Sequence, residues 1–417
     1  MDSQLFLLTI NFLILLLITI KYIKIKKKFQ TGTLTLFLYT FSAFCALIYY
    51  CNPYYIQYKE LTLLPFIYWI VAFSILCIPL FKYDSLNIIG LKYNIRVINC
   101  LCIIGFFISI IPFIEQAIQI PSLFNTASIS DTFSDIHNDN DKQVYFSVIG
   151  RYSQRIVWAL YDLMFLFIVP VIRSPKVNKL ALLGIIMVLI TRNLEFFLLA
   201  SRNGLLRMIL QLVLAVIILY PLMTSIEKKK VMRIIVILTI TIIGVFTLIT
   251  IARQIGYSEK NESYTMLYFL SRYAGEGMIN FNQYIFDIKN YTEGDYTLWT
   301  FKNLLGYDIP PLTRDYLYGH FQNMTGIPMM IFYTFIGFIV IDLGPTTTLL
   351  LFIVIAASMY KLLSFNKKFI PISTLFLFYI FSSTIINGIC VYQYTGKNTE
   401  YFWLYLTIFI FLRWKKM

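Results

Sequence analysis

Long apolar runs, each close to twenty residues, recur along most of this 417-residue chain. Because about 20 apolar residues are needed for a helix to cross the bilayer hydrocarbon, each run predicts a membrane-spanning helix. Hydrophobic residues make up 59% of the sequence and charged residues only 13%, which leaves too little polar surface for a soluble protein of this length. The predicted fold is an all-α polytopic integral membrane protein with about eleven transmembrane helices. The predicted spans are residues 5–20, 33–51, 61–81, 97–114, 156–172, 180–200, 204–222, 232–251, 345–363, 369–389 and 401–414.

The loops between these spans alternate between lysine-rich and lysine-poor segments. Cytoplasmic loops carry the excess of Lys and Arg, so the bias predicts an N-terminus outside, a C-terminus in the cytoplasm and an uncleaved first helix. It also explains the net charge of +14 without nucleic acid as a partner. We therefore predict a single membrane domain over 1–417, with a smaller outer loop at 115–155 and a larger one at 252–326. The basic loops are 21–28, 82–96, 173–179, 226–233 and 364–368.

Residues 327–343 are apolar enough to form a further span. If that segment alone crossed, the lysine-rich loop at 364–368 and the basic C-terminal tail would lie outside, against the charge bias. A re-entrant segment on the outer side, covered by protein, resolves the conflict. A second weak span within 264–286 would also resolve it. We predict the re-entrant arrangement, and the second span remains the alternative.

Three charged residues fall inside predicted spans: Asp162, Arg192 and Glu195. Charges in the hydrocarbon are costly, so they usually have a partner or a function. Arg192 and Glu195 are three residues apart and share a helix face. Because the loop between the two helices is short, we predict one buried charged cluster of all three residues in the outer half of the membrane. A purely structural ion network is the competing interpretation.

Arginine is concentrated at the predicted outer ends of the helices, whereas lysine dominates the inner loops. Arg binds phosphate and carboxylate through a rigid, bidentate fork. This asymmetry predicts a site for an anionic lipid head group such as a diphosphate, although snorkelling to ordinary phospholipid is the alternative. With two His in the chain and cysteines only within or beside apolar runs, we expect no metal and no other cofactor. The outer arginines include Arg202, Arg253 and Arg272, with Arg151, Arg155 and Arg207 nearby.

Three short motifs add a resemblance to a known family. The first is Leu198–Gly204 (LLASRNG), between two helices, and the second is Ser271–Gly277 (SRYAGEG) in the larger outer loop. The third combines Tyr333-Thr334-Phe335 with Ile341–Gly344 (IDLG), which opens an apolar helix. With the overall layout, these motifs resemble those of the Wzy-type O-antigen and capsule repeat-unit polymerases, except that Leu343 stands where the family has Phe.

The resemblance implies a metal-independent glycosyltransferase of the bacterial inner membrane. Such a polymerase moves a growing glycan from undecaprenyl diphosphate to the non-reducing end of a new lipid-linked repeat unit, at the outer face. The implied fold is the helical membrane fold of lipid-dependent glycosyltransferases. The implied partners are the undecaprenyl-diphosphate-linked oligosaccharide, membrane lipids, and a chain-length regulator and flippase of the same pathway. A polysaccharide-lipid flippase or other transporter, or an O-antigen ligase, remains the alternative function.

The chemistry of this transfer assigns roles to particular side chains. Arg202, Arg253 and Arg272 are the predicted diphosphate ligands, because Arg can stabilise the charge that grows on the leaving group. The acceptor hydroxyl needs a base within hydrogen-bond reach. The predicted catalytic residues are therefore Glu276, His320 and Asp342. Asp342 could instead cap the helix that follows it.

Overall fold

A computed structural model describes the chain apart from residues 1, 125–146, 175, 200–201, most of 230–250, 251–265, 311–315, 330, 365–367, 390–393, 395 and 414–417. The first half contains α1 Ser3–Lys26, α2 Thr31–Tyr50, α3 Leu63–Asp84, β1 Gly90–Lys92, α4 Ile95–Phe124, α5 Val148–Arg173, α6 Lys179–Leu198 and α7 Arg202–Leu219. The second half contains α8 Met266–Tyr284, α9 Trp299–Leu304, α10 Phe335–Leu343, α11 Pro345–Leu363, β2 Phe369–Pro371, α12 Ile372–Asn387 and α13 Glu400–Arg413.

Eight helices within the described residues are long and apolar enough to cross a membrane. They are α1 to α7, with α7 extended by a 3₁₀ turn to Leu222, and α11. The chain is therefore an all-α, multi-pass membrane protein, as its hydropathy predicts. The regions 369–389 and 401–414 form shorter helices of 16 and 14 residues, and the predicted span 232–251 lies largely outside the described residues. The number of about eleven spans stays a prediction.

Helical structure extends into both predicted outer loops. α4 runs for 30 residues to Phe124, and α5 begins at Val148, where the Ser147 hydroxyl accepts a hydrogen bond from the Gly150 N–H at 2.8 Å. In the larger loop, α8 spans 19 residues. These stretches interleave polar and apolar residues, so their mean hydropathy is lower than that of the spans although their helical periodicity is present. α8 occupies the stretch 264–286 that is the alternative weak span, but it is not among the eight helices apolar enough to cross.

The chain divides into two compact units, and the single membrane domain stays a prediction. Unit 1 comprises residues 1–87, 264–366 and 381–403, and unit 2 comprises residues 88–263, 367–380 and 404–417. The division is not by sequence halves, because each unit collects segments that are distant along the chain.

In unit 1, a buried carboxylate fixes the lysine-rich ends of the first three helices. Asp84, the last residue of α3, accepts hydrogen bonds from the backbone N–H groups of Thr31 and Gly32 at 3.2 and 2.8 Å. The Tyr22 hydroxyl of α1 donates a third bond at 2.8 Å. The first N–H groups of a helix have no partner within it, so Asp84 caps α2 from outside and ties the three helices together.

Helices α3 and α11 of unit 1 run in the same direction. Near the start of both, the Tyr68 hydroxyl donates to the Pro345 carbonyl at 2.7 Å. Near their ends, the Lys82 ammonium lies 5.0 Å from the centre of the Tyr360 ring. The lysine-rich loops that follow α3 and α11 therefore begin at the same end of unit 1, as the charge pattern predicts.

Both ends of the segment that connects α8 to α11 lie near the N-terminal end of α3. At the end of α8, Asn282 exchanges hydrogen bonds with the backbone of Thr62, which precedes α3. Between its two ends the segment extends further along α3. The Trp69 indole donates a hydrogen bond to the Thr334 hydroxyl at 3.3 Å, and Trp69 lies roughly 10 Å further along α3 than Thr62. α10 follows with nine residues, about 13 Å of helix. This length is less than half of the bilayer hydrocarbon.

In unit 2, α4 and α6 pack closely and run parallel. A Cβ at Gly184 would overlap the Cys102 carbonyl, so glycine permits this approach. Strands β1 and β2 pair in parallel, with Gly90 opposite Phe369 and Lys92 opposite Pro371. The Ile89 N–H also donates to the Lys368 carbonyl at 2.8 Å, so residues from two of the basic loops lie side by side, which agrees with their predicted location on one side.

Candidate functional site

The polar face of α8 forms the best-defined candidate site in unit 1. Arg272, Glu276 and Asn280 follow one another at intervals of four residues, so they share one helical stripe. The Arg272 Nε donates to Glu276 Oε2 at 2.9 Å. Asn280 donates to the Phe332 carbonyl at 2.9 Å and, more weakly, to Glu276 Oε1 at 3.4 Å. Glu276 is buried, so this carboxylate is held within the protein and directed at the guanidinium.

Arg272 combines a fixed position with an open binding edge. Its side chain is 42% exposed, and its bond to Glu276 uses Nε alone. Within the part of the chain that the structure describes, its two terminal amino groups form no hydrogen bond. A guanidinium held through Nε presents these amino groups as a fork that matches two oxygens of a phosphate. The site can therefore receive an anion without first breaking the pair with Glu276.

The glycines of the SRYAGEG motif let α8 approach two backbones closely. A Cβ at Gly275 would overlap Cys45 and Ala46 of α2, and one at Gly277 would lie 3.0 Å from the Ile389 carbonyl. Across the same contact, the Ser42 hydroxyl donates to the Ala274 carbonyl at 2.6 Å. The second motif therefore positions Arg272 and Glu276 by helix packing.

Substitution of Gly275 by Ala should destabilise unit 1 through this contact. The new methyl group meets backbone atoms of α2, which cannot rotate away, and overpacking of this kind costs about 1–3 kcal/mol. We expect a lower midpoint of thermal unfolding for the detergent-solubilised protein. Gly319→Ala is the matched control, because a Cβ there meets nothing within 4 Å among the described residues. Equal midpoints for the two variants would contradict the packing role.

The loop between α2 and α3 is held against the end of α8. Gln283 donates through Nε2 to the Lys59 carbonyl at 2.7 Å and to the Tyr55 hydroxyl at 3.1 Å. Lys59 also pairs with Asp287 at 2.8 Å. Burial raises the pKa of the Tyr55 hydroxyl to about 12. The loop is thus anchored at the end of α8 that follows Glu276 and Asn280.

Asp342 lies in unit 1 but is fully enclosed. Its carboxylate accepts five hydrogen bonds, from the N–H groups of Gly294, Tyr296 and Thr297 and from the hydroxyls of Thr292 and Thr297. Both oxygens are occupied, and the residue is 0% exposed. A general base needs an open oxygen facing its substrate. The geometry therefore favours a role in holding the 292–297 loop over the predicted role in catalysis.

His320 is exposed on a short π-helical turn, Leu317–Phe321. Its ring meets the Phe321 ring edge-on, with centres 5.2 Å apart, and Phe321 is fully buried. Within the described residues, His320 forms no hydrogen bond with Glu276 or Asp342. The imidazole is accessible to a substrate, so its predicted role as a base stays a prediction.

In unit 2, Arg192 and Glu195 form a buried ion pair. Glu195 Oε2 also accepts hydrogen bonds from Gln154 at 2.7 Å and from the Trp158 indole at 2.6 Å. The Arg192 guanidinium lies between two rings, 3.6 Å from the centre of Trp158 and 4.0 Å from that of Phe196. The charges are thus enclosed by cation–π and hydrogen-bonding partners, an arrangement that suits a structural network.

Asp162 does not join this pair directly. It accepts hydrogen bonds from Gln211 Nε2 at 2.6 Å and from the Tyr405 hydroxyl at 2.7 Å. Among the described residues, no hydrogen bond links it to Arg192 or Glu195. All three residues are buried, and their hydrogen bonds form two groups, because a helix at the far end of the chain supplies a partner for Asp162. One charged cluster of the three residues stays a prediction.

The other predicted diphosphate ligands cannot be placed beside Arg272. Arg202 begins α7, but its side chain lies outside the described residues, as does all of Arg253. Of the first motif, Gly204 is described: a Cβ there would overlap the Phe196 ring. Glycine therefore allows α7 to pack closely against the residue that covers Arg192.

Sequence reasoning overlooked the polar residues that surround the pair on α8. Asn280, Asn282 and Gln283 are all buried and all hydrogen-bonded to other segments of unit 1. The spacing of Arg272, Glu276 and Asn280 was a usable signal, since a repeat of four indicates one helical face. Among the described residues, no group of three or more His, Cys, Asp or Glu side chains could hold a metal ion.

Comparison with known proteins identifies no relative. No protein-family model, curated protein or solved structure matches the chain. The resemblance to oligosaccharide polymerases therefore rests on the layout of the chain and on the three short motifs.

Proposed function

We propose that the protein polymerises lipid-linked oligosaccharide repeat units at the outer face of a bacterial inner membrane. The observation that carries the proposal is the open guanidinium of Arg272, held through Nε by the buried Glu276. An Arg whose terminal amino groups are directed outward fits the diphosphate of a lipid carrier. The apolar helices provide the surroundings that a long prenyl chain requires.

In this reaction the acceptor hydroxyl of a new repeat unit attacks the anomeric carbon of the growing glycan. The bond from that carbon to the diphosphate oxygen breaks, and undecaprenyl diphosphate leaves with the bonding electrons. Arg272 stabilises the negative charge that develops on the leaving oxygen, which is worth most where water is excluded. His320 is the proposed acceptor of the hydroxyl proton, and the roles of Arg202 and Arg253 stay sequence predictions.

The role of Glu276 follows from its contacts. Its Oε2 already accepts a hydrogen bond from the Arg272 guanidinium, and the residue is 6% exposed. A carboxylate with these contacts is better placed to orient Arg272 than to receive a proton from a substrate. We therefore assign Glu276 as the positioning residue for Arg272, and its action as the base is the competing hypothesis.

The proposed topology places the start of α3 and of α11 at the outer surface. The segment from 285 to 344 then enters and leaves on the outer side, with α10 as a re-entrant helix that is covered by protein. The SRYAGEG and Tyr333–Phe335 motifs lie against one another, since a Cβ at Gly277 would be 3.4 Å from the Thr334 nitrogen. With the N-terminus outside and the C-terminus in the cytoplasm, the chain crosses the membrane an odd number of times.

Deleting the gene and sizing the surface glycan tests the proposal. A polymerase is indicated if long chains disappear while single repeat units still reach their final acceptor. We expect this result, with long chains restored by the wild-type gene on a plasmid. Long chains that accumulate on the undecaprenyl carrier would indicate a ligase instead. Repeat units trapped at the inner leaflet would indicate a flippase.

A further inference from the structure

Tyrosines from two segments of unit 1 converge beside Arg272. Tyr268 lies one helical turn before Arg272 on α8, so the two side chains share a face. The Tyr268 ring contacts that of Tyr49 at the end of α2, with centres 5.8 Å apart. It also meets the Tyr54 ring at a steep angle, with centres 5.9 Å apart. These three residues are called the tyrosine corner below.

The tyrosine corner has two enclosed rings and one accessible ring. Tyr49 and Tyr268 are 8% and 6% exposed, whereas Tyr54 is 43% exposed. Tyr268, which contacts both other rings, precedes Arg272 by one turn of the same helix. The corner is therefore next to the open guanidinium, with the Tyr54 ring presented at its surface.

The position of Tyr54 is fixed by the chain around it. The Asn52 side chain accepts a hydrogen bond from the Tyr54 N–H at 3.0 Å. The next residue, Tyr55, bonds to Gln283 and contacts both Tyr49 and Tyr50 with its ring. An aromatic ring held in this way offers a flat surface whose position is set before a ligand arrives, so binding costs little ordering.

We propose that the tyrosine corner binds the sugar ring attached directly to the diphosphate of the lipid-linked substrate. Tyr268 and Arg272 lie one helical turn apart, so a diphosphate bound by Arg272 places the attached sugar beside the tyrosine corner. The C–H face of a pyranose can then lie on the exposed Tyr54 ring, while its hydroxyls face water and the neighbouring polar groups. This inference rests on the proposed function, and it names the part of the substrate that unit 1 recognises.

An aromatic belt at the membrane interface is the competing explanation for exposed tyrosines. A belt residue anchors the protein in the bilayer and has no preference among ligands. The two explanations therefore differ in one observable quantity, the gain in affinity that a sugar adds to a prenyl diphosphate.

The test measures binding of two probes to the full chain in lipid nanodiscs: farnesyl diphosphate, and farnesyl diphosphate carrying one N-acetylglucosamine. Tyr54→Ala should weaken binding of the glycosylated probe by about three- to tenfold, the range for one aromatic stacking contact. It should leave binding of farnesyl diphosphate within about twofold, because no contact to phosphate is removed. Tyr54→Phe keeps the ring and should bind both probes as the wild type does.

Two further variants separate failure of the corner from failure of the proposed function. Tyr58→Ala removes another exposed tyrosine of the same loop, 69% exposed, and should change neither affinity. Arg272→Gln should weaken both probes. If Tyr54→Ala affects both probes equally or neither, while Arg272→Gln weakens both, the sugar subsite is refuted and the diphosphate site stands. If the wild type binds neither probe, the proposed function fails, and the inference fails with it.

Discussion

Replacing Arg272 with Gln should lower the rate of glycan transfer by about 10²–10³-fold, the usual cost of removing one donor that stabilises a developing oxyanion. Gln keeps much of the side-chain length but has no charge and no fork. Arg272→Lys should recover only part of the activity, because an ammonium keeps the charge but cannot reproduce both the bond to Glu276 and a bidentate contact. The measurement is the ladder of products formed from purified lipid-linked repeat units in proteoliposomes.

The control for Arg272 is a lysine in the same unit. Lys59→Gln removes a positive charge and breaks the pair with Asp287, whose side chains are 42% and 56% exposed. Exposed pairs contribute little to stability, so this variant should keep transfer within about twofold of the wild type. An equal loss from Lys59→Gln would mean that overall positive charge, and not the placed guanidinium, supports activity.

Variants of Glu276 distinguish a positioning residue from a base. Glu276→Gln still presents an oxygen to the Arg272 Nε, so a positioning role predicts a loss of no more than about tenfold. Glu276→Ala leaves the guanidinium unsupported and should approach the loss seen for Arg272→Gln. A catalytic base predicts otherwise: Gln cannot accept the proton, and the loss reaches about 10²–10⁴-fold for either variant.

The pH profile gives a second readout for the same question. If Glu276 is the base, the wild-type rate falls at low pH as one group is protonated, and the fall disappears in Glu276→Gln. If Glu276 positions Arg272, the profile keeps its shape in Glu276→Gln and only its height changes. Retention of the profile would leave His320 as the better candidate for the base.

The parts of the fold that follow from local sequence could be predicted. Hydropathy located α1 to α7 and α11, since each is a continuous apolar run. Lysine placement correctly put the ends of α3 and α11 on one side of unit 1. The ion pair of Arg192 and Glu195 followed from their spacing of three residues on one helix. In each case the deciding interaction is between the chain and lipid, or between neighbours on one helix.

Features that depend on distant segments could not be predicted in the same way. One partner of Asp162 is Tyr405, 243 residues further along the chain, and nothing near Asp162 in the sequence indicates it. α8 occupies the stretch that was raised only as a second weak span at 264–286. Its signal was weak because its polar face contacts other protein segments and so need not be apolar. Burial of Glu276 likewise depends on packing of α8 against other segments of unit 1, which no local pattern records.

The candidate site shows the same division. The motif around Arg272 and Glu276 could be found from sequence, yet its roles could not be separated. Choosing among Glu276, His320 and Asp342 required knowledge of which oxygens and nitrogens are already hydrogen-bonded. Only a structure supplies that information, since each of the three residue types can serve as a base in other surroundings.

Replacing Asp342 with Ala should destabilise the protein by about 3 kcal/mol or more. The carboxylate satisfies the N–H groups of Gly294, Tyr296 and Thr297, and each buried donor left without a partner costs about 1–3 kcal/mol. Asp342→Asn should give an intermediate loss, because an amide offers one acceptor oxygen where the carboxylate offers two. The measurement is thermal unfolding in detergent, compared with Asp308→Ala, which alters an exposed residue.

The same variants decide whether Asp342 has any part in the chemistry. If Asp342 holds the 292–297 loop, its variants should lose activity in step with their loss of stability. Activity should then partly return when Asp342→Asn is assayed well below its unfolding temperature. A base would give the opposite result for Asp342→Asn: wild-type stability with transfer reduced by about 10²–10⁴-fold. Because all five hydrogen bonds to Asp342 come from the 292–297 loop, we expect the first outcome. The D-L-G stretch of the third motif would then serve to fix that loop against α10, and the chemistry would remain with the accessible side chains of α8 and the turn that carries His320.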